Sequence, residues 1–419
     1  GFGRLAERRF PDPLAAGASS PVDFEAFVYD AAGRVTLTER RDGQVVSFAY
    51  DALGRLTARD LSGTAADDVA ISYDLLGRAV QTVKGDGGSI VTAHDRVSRP
   101  VSVTADGRTL TYGYDAAGRR AEMIWPDGFS ITYDRDTLGR MTAIRENGGA
   151  VLASFAFDDV GRVAQLSRGN GVATALGYDA ASRLTGLDHD LAGSAADFDA
   201  DFIRTPAGGI SSRAQSNAAY ASAPAGTGTE SYAADGLDRY TSVDGVAFSY
   251  DNRGNLTSDG ASSYSYDLDN RLRSVSGAAS LTLDYDPAGR LDRLSDAGSV
   301  TEFLYDGLDL VAEYDGSGNL LRRYVHGPGT DRPIVWYEGA GTGSKRYFHA
   351  DARGSVVALS DGSGNALATF AYTAYGESVG SASFSRFGFT GQMRLPGGLY
   401  HFRARAYAPA HGRFLQPDP

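Results

Sequence analysis

The sequence predicts an all-β fold, a spiralling antiparallel wall of β-hairpin repeats. Three observations predict it: a recurrent Tyr-Asp unit, Asp-Gly pairs between the units, and a composition rich in turn formers. The unit reads Phe27-Val28-Tyr29-Asp30-Ala31-Ala32-Gly33-Arg34-Val35 and again Phe48-Ala49-Tyr50-Asp51-Ala52-Leu53-Gly54-Arg55-Leu56. Further copies, some degenerate, begin at Tyr73, Tyr114, Tyr133, Phe157, Tyr178, Tyr250, Tyr266, Tyr285 and Tyr305. Internal repetition fixes an architecture before any single site is considered.

Each element of the unit has a physical reading. The aromatic and the Tyr are two residues apart, so on a strand both point to one face. Asp followed three residues later by Gly suits a type I turn closed by a left-handed residue. The Asp side chain accepts backbone N–H groups, and Gly takes positive φ without a Cβ clash. Asp286-Pro287-Ala288-Gly289 adds Pro where its fixed φ is wanted. The Arg and the alternating apolar residues after it start the return strand, and the Arg reads as a surface charge with a weak acidic partner. Halfway to the next Tyr stands a second turn, Asp42-Gly43, Asp86-Gly87, Asp106-Gly107, Asp127-Gly128 or Asp244-Gly245. Such pairs predict two-residue hairpins. Each unit of roughly 20 residues is then two strands and two turns, and stacked units shield one another's edges.

Bulk properties narrow the function. The 419 residues include 53 Gly and 23 Tyr, and the 42% hydrophobic content allows a substantial core. A formal net charge of −12 argues against a phosphate-tracking nucleic-acid surface. The chain has no Cys, which excludes disulfides and thiolate chemistry. No apolar run reaches the roughly 18 residues of a membrane span. The first residues lack a signal peptide's pattern, and a chain that opens without Met reads as part of something longer. Histidines 94, 189, 326, 349, 401 and 411 lack metal-ligand spacing, and neither a calcium loop nor a Gly-x-Ser-x-Gly elbow occurs. Gly341-Thr342-Gly343-Ser344-Lys345 has the wrong spacing for a phosphate loop. No cofactor and no metal are expected.

The repeats resemble the YD repeats of the Rhs family, shared with toxin-complex C proteins and teneurins. The end of the chain is similar to the Rhs-associated core, through Tyr347-Phe348-His349-Ala350-Asp351, Ala374-Tyr375-Gly376-Glu377, Phe387-Gly388-Phe389-Thr390-Gly391-Gln392 and Gly412-Arg413-Phe414-Leu415-Gln416-Pro417-Asp418-Pro419. The organisation expected is a lead-in over 1–24, a YD-repeat shell over 25–325 and a core region with a C-terminal plug over 326–419. The repeat pattern degrades between 187 and 234, read as a decayed repeat and a surface loop over 218–229.

The resemblance implies a hollow β-shell, incomplete at this length, whose core region plugs one end. It implies a C-terminal polymorphic toxin as enclosed cargo, secretion-system or N-terminal delivery components as further partners, and a bacterial, exported or cell-surface-delivered protein. It also implies self-cleavage at an aspartyl-type site, with Asp418 as one of its two carboxyls, Arg386 as support and a second Asp beyond Pro419. The chain is therefore not expected to be an enzyme acting on external substrates. The alternative reading is a cell-surface adhesion or carbohydrate-binding protein. His349 reads as a packed ring rather than a catalyst.

Overall fold

The computed structural model describes residues 3–12, 15, 17–221, 229–379 and 385–418. Nearly every element is a short antiparallel strand, with single-turn 3₁₀ segments between some of them. A first sheet of 19 strands runs as one meander from Glu7–Pro11 to Ile210–Gln215. A three-stranded sheet follows, from Tyr232–Ala234 to Val246–Ala247. A second large sheet of 13 strands then runs from Ser249–Tyr250 to Ala366–Thr369. Of the loop expected over 218–229, residues 222–228 lie outside the described residues. The decayed repeat still forms a hairpin, Phe198–Arg204 with Ile210–Gln215, in which Thr205 takes the place of the turn Asp.

The Tyr-Asp turn forms as its chemistry requires. Gly33 N–H donates to Asp30 O at 3.0 Å, Asp30 N–H donates to Arg34 O at 2.9 Å, and Gly33 has φ 87°. This is a type I turn with a left-handed closing residue. The register shifts at each Tyr, between Val28 and Tyr29 and between Ala49 and Tyr50, which places a bulge beside every such turn.

The Asp-Gly turns divide into two kinds. Asp106-Gly107 and Asp244-Gly245 are the expected two-residue hairpins, with both residues at positive φ. At Asp42, Asp86 and Asp127 only the Gly is left-handed, and the turn opens two residues earlier. Gly128 N–H, for example, donates to Trp125 O at 3.0 Å. Pro126 explains that case, because its fixed negative φ suits the second position of a type I turn.

The Arg of the repeat is not a loose surface charge. Arg55 Nε donates to Asp51 Oδ2 at 2.7 Å while the guanidinium lies 4.5 Å from the ring centre of Tyr73, in the next repeat. Tyr73 Oη in turn donates to Leu56 O at 2.7 Å, the residue after that Arg. The same arrangement joins Arg34 to Tyr50, Arg162 to Tyr178, Arg271 to Tyr285 and Arg290 to Tyr305. Each of these repeats therefore clamps its successor through a cation–π contact and a hydroxyl bond.

Long-range contacts give the path of the wall. Arg59 bonds to Asp269, Arg108 to Glu302, Glu146 to Tyr337 and Asn170 to Asp361 O, over separations of 210, 194, 191 and 191 residues. Both members of these pairs advance together, so the second sheet retraces the first in the same sense. That is a spiral, with a circuit of about 190 residues by those separations. The second sheet is buried on both faces where it passes the first: Leu304, Val325, Val335 and Tyr337 join a core with Leu110, Trp125, Ile131 and Phe155. On its opposite face lie Phe303, Tyr305, Tyr324, Trp336 and Phe348. Tyr-bearing strands outside that overlap are half-buried.

Candidate functional site

Residues 385–418 form the structure against which any terminal chemistry must act. Four short strands, Met393–Arg394, Tyr400–Phe402, Arg405–Ala408 and Arg413–Phe414, make a small sheet. Its apolar residues Phe387, Phe389, Met393, Leu399, Tyr400 and Leu415 share one core with the aromatic face of the second large sheet. Phe387 stands edge-on to Tyr324, with ring centres 5.0 Å apart. Two backbone bonds tie the segment to the wall, Leu256 N–H to Leu415 O at 2.8 Å and Val356 N–H to Gly388 O at 2.9 Å. The segment is seated on the tyrosine face.

Arg386 enters the site from the start of this segment. Its Nε and Nη2 donate to the two oxygens of Glu313 at 2.7 and 2.9 Å. Glu313 belongs to the strand Asp309–Asp315 and is fully buried. It also accepts from Arg322 Nη1 at 3.0 Å and from Tyr324 Oη at 2.6 Å. Burial disfavours its charge, but Arg386, Arg322 and the Tyr324 hydroxyl outweigh burial and hold the carboxyl down to about 2. The bidentate geometry suits a guanidinium and a carboxylate enclosed in apolar surroundings. Sequence reasoning missed Glu313, although a lone charge inside Leu310-Val311-Ala312-Glu313-Tyr314 signals a buried partner.

Asp418 sits apart from that cluster. Its side chain is 83% exposed and pairs with Arg405 Nη2 at 3.0 Å, while Arg405 lies 3.8 Å from the ring centre of Phe414. Among the described residues, no hydrogen bond or ion pair joins Asp418 to Arg386 or to a second carboxylate. Pro419 lies outside the described residues. An acid–base pair needs two carboxyls whose environments push their pKa values apart, and here one carboxylate stands in water beside a cation.

His349 and His189 occupy packing positions. His349 Nε2 lies 2.8 Å from Ser360 Oγ, and His189 bridges Thr174 Oγ1 at 2.7 Å and Ala350 O at 3.0 Å, joining the two sheets. Burial drives His189 down to about 3 and His349 well below the usual imidazole range. Among the described residues no three His, Cys, Asp or Glu side chains are placed to hold a metal ion.

The comparisons with known proteins meet this geometry at both ends of the chain. The teneurin YD-shell profile matches residues 220–419, and the RHS repeat profile matches 29–66 and 94–124. These matches give the chain RHS repeats and a YD-shell region. The tRNA nuclease WapA of Bacillus subtilis (strain 168) is 31% identical over 195 residues, which is 44% of this chain and 8% of the relative. The tRNA3(Ser)-specific nuclease WapA of Bacillus spizizenii is 30% identical over the same length. The chain thus spans a small part of those relatives. Among solved structures, TcdB2-TccC3-TEV matches with TM-score 0.73 at 15% identity, covering 96% of this chain and 26% of that one. The Tc holotoxin pore of Photorhabdus luminescens matches with TM-score 0.66 at 15% identity, with the same coverage. At that identity the likeness is one of fold, a β-shell wall.

Proposed function

We propose that this Rhs wall encapsulates a toxin domain carried C-terminal to it and delivers that domain from an exported or cell-surface bacterial protein. The observation that carries the reading is the plug. A wall whose aromatic face is sealed by residues 385–418 directs the following chain from one defined place. The named activities of the WapA relatives, as tRNA nucleases, agree with a shell that serves a separate toxic activity. A shell-type wall is structural, so the toxicity would belong to the cargo and not to these strands.

In the same reading the terminal segment contributes to self-cleavage, with Asp418 as one acid. Arg386 serves by locking the plug to Glu313, which fixes where Asp418 leaves the wall. The test uses the full-length protein. Cleavage would give two bands on a denaturing gel that co-elute on native size exclusion, and D418N would give a single band. A wild-type chain that stays intact, or whose fragments separate without denaturant, overturns the reading.

A further inference from the structure

Backbone strain outside the repeats gathers at one cavity. Ser98, Ser182, Asp238 and Asn270 take positive φ where the repeat has glycine, and Asp106, Asn147, Asp244 and Ala297 open tight hairpin turns. The other non-glycine residues at positive φ among those described are Asp331 (55°), Thr390 (51°) and Arg403 (59°). Arg403 Nη2 donates to Asp331 Oδ1 at 2.7 Å, and Gln392 Nε2 donates to Asp331 Oδ2 at 2.8 Å. Asp331, Gln392 and Arg403 line a partly enclosed cavity of about 230 Å³ between residues 385–418 and the second sheet, with Thr390 next to its lining residue Gly391. Such strain persists only where the surroundings over-determine it, and it concentrates at binding and active sites.

The polar groups on the cavity wall are unmatched in one direction. His326 Nε2 lies 2.8 Å from Leu310 O, and a carbonyl can only accept, so the proton of the neutral ring is on Nε2 and Nδ1 carries a lone pair. That Nδ1 has no hydrogen-bond partner and lies 3.9 Å from Asp309 Oδ1, so two acceptors face one another. His401, only 7% exposed, lines the same cavity and has an unpartnered Nε2. Burial raises the Asp309 carboxyl above its ordinary range, His326 and Arg403 opposing the shift and Asp306 and Asp331 adding to it. Arg290 and Arg403 also line the cavity, already paired with Asp286 and Asp331, and the rest of the wall is largely apolar, through Leu291, Leu310 and Met393.

We propose that this cavity binds a primary ammonium group on a short aliphatic stem, the chemistry of a lysine side chain or of a small free amine. An ammonium brings three donors and no acceptor, which answers Asp309 and His326 Nδ1; His401 Nε2 accepts as well when that ring carries its proton on Nδ1. Its charge offsets the buried carboxylate, and the stem lies against the aliphatic wall. A metal ion is the poorer occupant, because among the described residues no three such side chains converge closely enough to hold one. The site lies away from Asp418 and does not depend on the encapsulation reading.

Calorimetric titration of the intact protein with n-butylammonium tests this, with N-acetyl-lysine amide, butyltrimethylammonium and butyrate as parallel arms. Saturable binding is expected for butylammonium, about tenfold weaker for the trimethyl analogue that cannot donate, and absent for butyrate. The substitution D309N is expected to weaken butylammonium at least about tenfold. Imidazole NMR shifts of His326 and His401 during the wild-type titration give a readout that needs no variant. Binding of the lysine amide as well assigns a protein side chain as an occupant; binding of butylammonium alone assigns a free amine. No saturable binding, no shift at either histidine, or equal binding by D309N or by the trimethyl analogue overturns the proposal.

Discussion

Asp269 receives both terminal nitrogens of Arg59, at 2.9 and 2.7 Å, from a strand 210 residues earlier in the chain. Arg40 reaches the same carboxylate at 3.2 Å. Burial opposes this charge, and the arginines nevertheless hold the carboxyl below its ordinary range. This pair is a rivet between two circuits of the spiral, placed in a Tyr-Asp turn at the position where open turns carry Leu53, Leu76 or Val97. The substitution D269N should cost about 2 kcal/mol in urea unfolding. A double-mutant cycle with R59A should show strong coupling, and D51N in an open turn should cost less. Additive effects would mean that the two circuits do not cohere through this contact.

Glu313 and Arg386 set an order of severity. Removing the acid with E313Q leaves Arg386 and Arg322 facing a neutral group in a buried site, a loss of about 3–5 kcal/mol. The substitution R386M leaves Glu313 with Arg322 and Tyr324, so the cost is smaller. Limited proteolysis should release residues 385–418 first in E313Q. If R386M loosens the plug more than E313Q does, the carboxylate is not the anchor.

The tyrosine hydroxyls provide a graded test along the wall. Tyr285 Oη donates to Leu272 O at 2.7 Å in a buried site, and Tyr50 Oη donates to Val35 O at 2.8 Å in a half-buried one. Y285F should lose about 1–3 kcal/mol, because the carbonyl is left without a partner away from water. Y50F should lose about 0.5–1 kcal/mol. Equal losses in chemical denaturation would show that burial does not control this bond.

The repeat made most of this wall legible in advance. Tyr two residues after an aromatic, Asp at the turn and Gly at positive φ are local requirements, and local chemistry can be read from adjacent residues. The Arg was misread because its second partner, the Tyr of the next repeat, is about 16–18 residues away, as from Arg34 to Tyr50 and Arg55 to Tyr73. The contact of Arg386 with Glu313 was harder still, since 73 residues separate them and Glu313 stands at the variable position before Tyr314-Asp315. The cavity at His326 and His401 could not be read at all. It exists only because the plug returns to a strand laid down much earlier.

Buried histidines give the wall a pH dependence whose sign is fixed by their environment. His189 is held down to about 3 by burial and by Arg168, and His401 down to about 4 by burial alone. Both are neutral in the fold, whereas an unfolded chain takes up protons below about pH 6.5. Acid therefore favours the unfolded chain, and the contribution of each ring falls as pH drops from about 6.5 toward its folded value. Asp292, pushed up to about 7 mainly by burial and also by Asp106 and Asp286, acts in the opposite sense, since the fold keeps its proton when the unfolded chain loses it. The two effects separate by difference. The stability gap between wild type and H189Q should close as pH falls from 6.5 to 4, by up to about 1.4 kcal/mol per unit. The gap between wild type and D292N should widen in favour of wild type over the same range. Urea midpoints at pH 7.5, 6 and 5 decide it, and parallel lines for wild type and H189Q would show that this ring titrates alike in both states.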